Sequence, residues 1–127
     1  MNRCIPSALA ALAVWAAPAA AQLSRNFPAD ALRGEIVVTA PPEILLNQQP
    51  ARLAPGARIR GSDNLLLLSG ALLGQRLLVN YSFDTLGLVR EVWLLNADEA
   101  ARTPWPVSVE QAQSWSFDPA SQTWTRP

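Results

Sequence analysis

Residues 76–95, RLLVNYSFDTLGLVREVWLL, decide how the chain folds. Two β-rich runs flank Asp84-Thr85-Leu86-Gly87. Asp at the first and Gly at the last position of such a unit is the chemistry of a type I turn followed by a left-handed residue, a common hairpin closure. Two registers are open. One places Leu77, Val79, Tyr81 and Phe83 on a face with Val89, Glu91, Trp93 and Leu95. The other, with one more loop residue, matches the same four to Leu88, Arg90, Val92 and Leu94. Either way one face is an apolar slab and the other is too apolar to be wholly solvated, so the hairpin needs a covering layer. Arg90-Glu91 sits mid-strand, and one of the two must face the apolar side. A bond from Asn80 to Arg90, or from Tyr81 to Glu91, would satisfy it.

The segments before the hairpin supply the cover. Residues 35–40, EIVVTA, form a strand ended by Pro41-Pro42. Residues 43–46 and 51–53 flank Asn47-Gln48-Gln49-Pro50 as a short hairpin. Pro55-Gly56 is a turn dipeptide, after which residues 57–60 make a short strand with Arg58 and Arg60 on one face. Residues 65–68, four leucines between turn signals, fit a buried strand. The connection 69–75 would then pin Leu72 and Leu73 on the core. After the hairpin, residues 96–102 read as a short helix. Asn96 is its N-cap and Glu99 stands three residues on, as in a capping box.

Short strands every eight to twelve residues, punctuated by Gly, Pro, Asn and Asp, predict an all-β fold. The expected form is a small antiparallel β-barrel, OB or SH3-like, of five to six short strands with a short helix after the last. This barrel domain occupies residues 34–103. Residues 22–33 are expected as a flexible N-terminal arm, loosely held, with one helical turn at PADALR. Residues 104–127 form a Trp/Pro-rich C-terminal tail. Residues 109–114 offer a helical turn there, and the Asp118-Pro119 turn suits a small hairpin.

Residues 1–21 read as a signal peptide: Arg3, an apolar run from Ile5, and Ala19-Ala20-Ala21 as a small-x-small cleavage site. Cleavage after Ala21 implies a periplasmic or secreted product, without stable membrane insertion. The one cysteine, Cys4, lies in this leader ahead of the apolar run, where a lipoprotein cysteine does not. The mature chain therefore has no disulfide, and its stability rests on a packed core.

Three motifs carry a resemblance: RNFP at 25–28, LAPGARIRG at 53–61, and VWLL at 92–95 running into an acidic helix start. With them, residues 25–99 resemble a group of small exported proteobacterial proteins of unknown function. The resemblance implies an exported, β-rich, periplasmic domain and no activity.

Chemistry is restricted further by what the 127 residues omit. There is no histidine and no lysine. Ser-His-Asp and Cys-His pairs, Schiff-base lysines and His/Cys zinc sites are closed to it. Carboxylates remain: Glu35, Glu43, Asp84, Glu91 and Glu99, with nothing to set two at a working separation. Asp63-Asn64 and Asp98-Glu99 hold oxygen ligands without a calcium-loop pattern and serve turns or caps instead. No catalytic residue, metal or cofactor is expected. Ten basic against ten acidic residues argue against nucleic acid as a partner.

Two features point to a partner. Arg52, Arg58 and Arg60 could form a positive strip for an envelope protein or an anionic ligand, or serve as edge-strand arginines that keep the barrel from pairing with another chain. Trp105, Trp115 and Trp124 could form an aromatic platform, or staple the tail to the barrel. The leading expectation is a non-catalytic exported accessory or protein-interaction module of the bacterial envelope, acting through a strand edge or the arginines. The alternative is a small-ligand or glycan-binding domain using the tail, and the third reading is a carboxylate-based hydrolase.

Overall fold

The computed structural model describes residues 25–127. The expected signal peptide and its cleavage site lie outside them. The strands are β1 (Leu32–Ala40), β2 (Glu43–Leu46), β3 (Gln49–Arg60), β4 (Leu66–Leu67), β5 (Arg76–Phe83) and β6 (Val89–Leu94). They form one sheet in the order β2-β1-β5-β6-β3-β4, and a further β2–β3 pairing closes it into a ring. The fold is all-β. Every pairing in the ring is antiparallel except β3 with β6, which run parallel.

The two registers open to the 76–95 hairpin are both used. Phe83 stands opposite Val89, Ser82 opposite Glu91 and Tyr81 opposite Val92, so Arg90 is the extra residue of a β-bulge. The bulge lets Val89, Val92 and Leu94 join the apolar face, while Glu91 and Trp93 stay on the other. Arg90 is thereby put outside, 4.0 Å from Asp30. Neither expected cross-strand bond forms: Asn80 Oδ1 accepts from Arg33 Nε at 2.9 Å instead. The turn closes as its residues dictate. Asp84 Oδ1 accepts from Leu86 N and Leu88 N at 2.9 Å each, and Gly87 takes φ 78°.

Inside the ring lie Leu32, Ile36, Val38, Ile44, Leu46, Leu53, Ile59, Val79, Tyr81, Val89 and Val92. They alternate along their strands as a half-buried sheet requires. Two expectations for β3 and β4 are corrected. Pro55-Gly56 does not end a strand: Gly56, at φ 74°, bends one long strand without breaking it. The leucines at 65–68 do not form a buried strand. β4 keeps two residues, at the rim beyond the end of β2, and only Leu67 turns in beside Ile59. Leu65 and Leu68 are 65% and 82% exposed. Leu72 does reach the core, whereas Leu73 does not.

A second layer covers the outer face of β5 and β6. Helix α1 (Ala97–Ala100) has the expected capping box between Asn96 and Glu99. Helix α2 (Val109–Ser114) leads into the hairpin of β7 (Ser116–Asp118) and β8 (Thr123–Thr125). Phe27, Ala31, Trp93, Trp105 and Trp124 form a separate apolar cluster. Trp105 is its hub, with Phe27 and Trp124 edge-on at 5.8 and 6.1 Å.

The N-terminal arm is not loosely held from Arg25 onward. Arg25, Phe27 and Ala31 are buried, PADALR makes a turn rather than a helix, and the strand begins at Leu32. The reason is a polar clasp. Glu99, fully buried, receives Arg25 Nε at 2.9 Å and Arg25 Nη2 at 2.6 Å. The other Arg25 donors reach the carbonyls of Gly61 and Leu94. Arg33 reaches Asn80 and the carbonyls of Glu99, Ala100 and Arg102, with its guanidinium 5.1 Å from the Trp105 ring.

Candidate functional site

The structure sorts the six residues expected to meet a partner into two sets. Trp105 and Trp124 are buried, and Trp105 Nε1 donates to Ala31 O at 2.9 Å. Trp115 is half-buried, with the Arg126 guanidinium 5.2 Å from its ring. The tryptophans thus join the tail to the sheet, and two of the three offer no face to a ligand.

The three arginines all lie on β3, each beside a different neighbour. Arg60 turns to the carbonyl of Asn64 at 3.5 Å. Arg58 stands opposite Glu91 in the parallel register. Arg52, beside β2, approaches Glu43 through Nε at 3.5 Å. Arg33 belongs to the buried clasp, where burial and the Arg102 charge pull its pKa down to about 10 against an opposing pull from Glu99. It remains a cation at neutral pH.

What sequence reading missed lies between Arg52 and Arg58. The pairing of β3 with β2 ends at Arg52 and that with β4 begins at Ile59. Against β6 the register jumps from Leu53 to Arg58. Ala54–Pro55–Gly56–Ala57 therefore has no ladder partner on either side. Pro55, which carries no N–H, and Gly56 were the available signal. They mark a bulge as well as a turn.

Concave surface follows this segment. On the β4 side a groove of about 260 Å³ runs between Pro41-Pro42 and Leu67-Leu68. Two further grooves, about 500 and 420 Å³, share Arg52 and Leu88 as a common wall, and the smaller also shares Pro42, Leu53 and Ala54 with the groove beside β4. The first of these is floored by Leu46, Pro50 and Phe83, and Leu86 stands exposed at the tip of the adjoining turn. The result is a trough with apolar walls that also holds the Arg52 guanidinium, the Glu43 carboxylate and Gln49.

The carboxylates are dispersed. Glu43 pairs with Arg52, Asp84 caps its own turn, and Glu99 sits in the clasp. Asp63 Oδ1 accepts from Leu65 N, as a turn residue does. Among the described residues no three acidic, histidine or cysteine side chains gather as a metal site. No helix among them is long and apolar enough to cross a membrane. The chain matches no family model, no curated protein and no solved structure.

Proposed function

We propose that the chain is a non-catalytic, exported binding module whose ring is a small OB-type barrel and whose β3 accepts an extended segment of an envelope protein. The connectivity supports the barrel reading: a three-strand meander, then a hairpin that returns to β1 and lies parallel to β3. Barrels of this type bind through the face of their second and third strands and the flanking loops. That face here is β2 and β3 with the Asp84–Leu88 turn beside it.

One observation carries the functional reading. The backbone of Ala54–Ala57 is outside every ladder, and although the Ala54 side chain is buried the segment is flanked by two grooves, the one lined by Leu53, Ala54, Pro55 and Leu88 being mainly apolar. Unpaired strand backbone is a template for another strand, and natural folds usually blunt it. In strand addition, main-chain bonds give affinity and neighbouring pockets read alternate side chains. The leader supports placement in the periplasm, with cleavage after Ala21.

A heptapeptide of alternating threonine and valine ending in leucine tests this by fluorescence anisotropy, beside the same peptide N-methylated at alternate residues. The free backbone should bind and the N-methylated one should not. Equal binding of the two would remove strand addition from the account.

A further inference from the structure

Resting on that reading, we infer that the trough at Arg52 recognises the C-terminal carboxylate of the added strand together with its last, apolar side chain. The argument begins with Arg52. Its side chain is 58% exposed, and Glu43, itself 55% exposed, is its one partner among the described residues. That contact uses Nε at 3.5 Å, longer than a hydrogen bond, and leaves both terminal nitrogens of the guanidinium fork unengaged. A fork of this kind is matched to a carboxylate, which it binds through two parallel N–H···O bonds. Exposed ion pairs such as Arg52–Glu43 contribute little, so an incoming carboxylate gives up little by displacing this one.

The walls then choose the source of the carboxylate. Leu46, Pro50, Phe83 and Leu88 bound the same trough as Arg52, so charge and apolar contact are required side by side. In an extended chain, successive side chains point to opposite faces. An internal acidic residue would therefore send its immediate apolar neighbour away from the trough. A C-terminal residue carries both groups on one Cα. The adjoining groove, lined by Leu53, Ala54 and Pro55, continues from Arg52 into the unpaired segment. A terminus seated at Arg52 thus lets the residues before it lie along that backbone.

The probes are three versions of the alternating heptapeptide: with a free terminal carboxylate, with a terminal carboxamide, and with a carboxamide plus an internal glutamate. The free acid should bind about tenfold or more tighter than the carboxamide, the scale of hydrogen bonds to a charged group. Arg52→Gln should bring the free acid down to the carboxamide's affinity with the melting temperature unchanged. Glu43→Gln, by removing the competing acid, should tighten the free acid and leave the carboxamide as it was. If free acid and carboxamide bind alike, the carboxylate site is wrong while strand addition survives. Preference for the internal glutamate would overturn the C-terminal assignment. If none of the three binds, both readings fall.

Discussion

At the scale of single residues, Glu99 ties the molecule together. Removing water from its carboxyl would push the pKa up. The bonds from Arg25 and from the backbone of Asn96 outweigh this and hold it below the ordinary value. A carboxylate depressed in the folded state contributes stability that is fully present above its unfolded pKa and disappears as pH falls through the folded one. Wild-type protein should therefore hold its melting temperature above about pH 5, then lose it on acidification below the usual glutamate range of about 4.3. Glu99→Gln should lose about 3–5 kcal/mol at neutral pH, because Arg25 is left buried without its counter-charge. It should also flatten the acid limb of the pH profile, and thermal melts from pH 3 to 8 read both effects. Gly34 is a second constrained position. A Cβ there would lie 2.9 Å from the Tyr81 ring, which the core holds in place. Gly34→Ala should cost about 1–3 kcal/mol in denaturant titration, the range for overpacking.

Among elements, the bulged hairpin is the most informative. Its turn was legible because Asp84 and Gly87 leave the backbone few alternatives. Its register was not. Alternation fixes which residues share a face only while the ladder is regular, and Arg90 interrupts it. Because Arg90 is the extra residue, its deletion should restore a regular ladder with Val89 and Val92 still inside. Deletion of Val92 should turn Trp93 inward and abolish folding. Amide NMR spectra of the two deletions, one dispersed and one collapsed, distinguish them. The long β3 escaped for a related reason. Pro55-Gly56 is punctuation in sequence, but strand continuity is decided by the partners at either end, β2 and β4. Residues 65–68 misled in the opposite way. Leucine carries burial propensity without β preference, and Leu65, Leu66 and Leu68 sit at a rim that no described residue covers.

Across the whole molecule, the all-β class followed from spacing and turn residues, although β3 is expected from them as two short strands and residues 65–68 as a buried one. The second layer did not follow. Joining Arg25 to Glu99 spans 74 positions in sequence, and no local pattern announces such a pair. RNFP and VWLL, singled out as a resemblance, supply Arg25, Phe27 and Trp93 to this layer. Because the tail covers Phe27 and Trp93, Trp105→Ala should cost about 3–5 kcal/mol, as large buried aromatics do. Denaturant titration should show one transition for tail and ring together. An early, separate transition of the tail would contradict a shared core. On the proposed export, the intact mass of protein recovered from the periplasm should correspond to a chain starting at Gln22.

The central claim is that β3 keeps a stretch of backbone free for another strand. Residue-resolved hydrogen exchange tests it most directly, with and without the free-acid heptapeptide. Amides of Ala54, Gly56 and Ala57 should exchange quickly in the free protein, beside slow Leu53 and Ile59, and should become protected when the peptide is bound. Protection of those three amides without peptide, or bound peptide that protects only the tail, would contradict it.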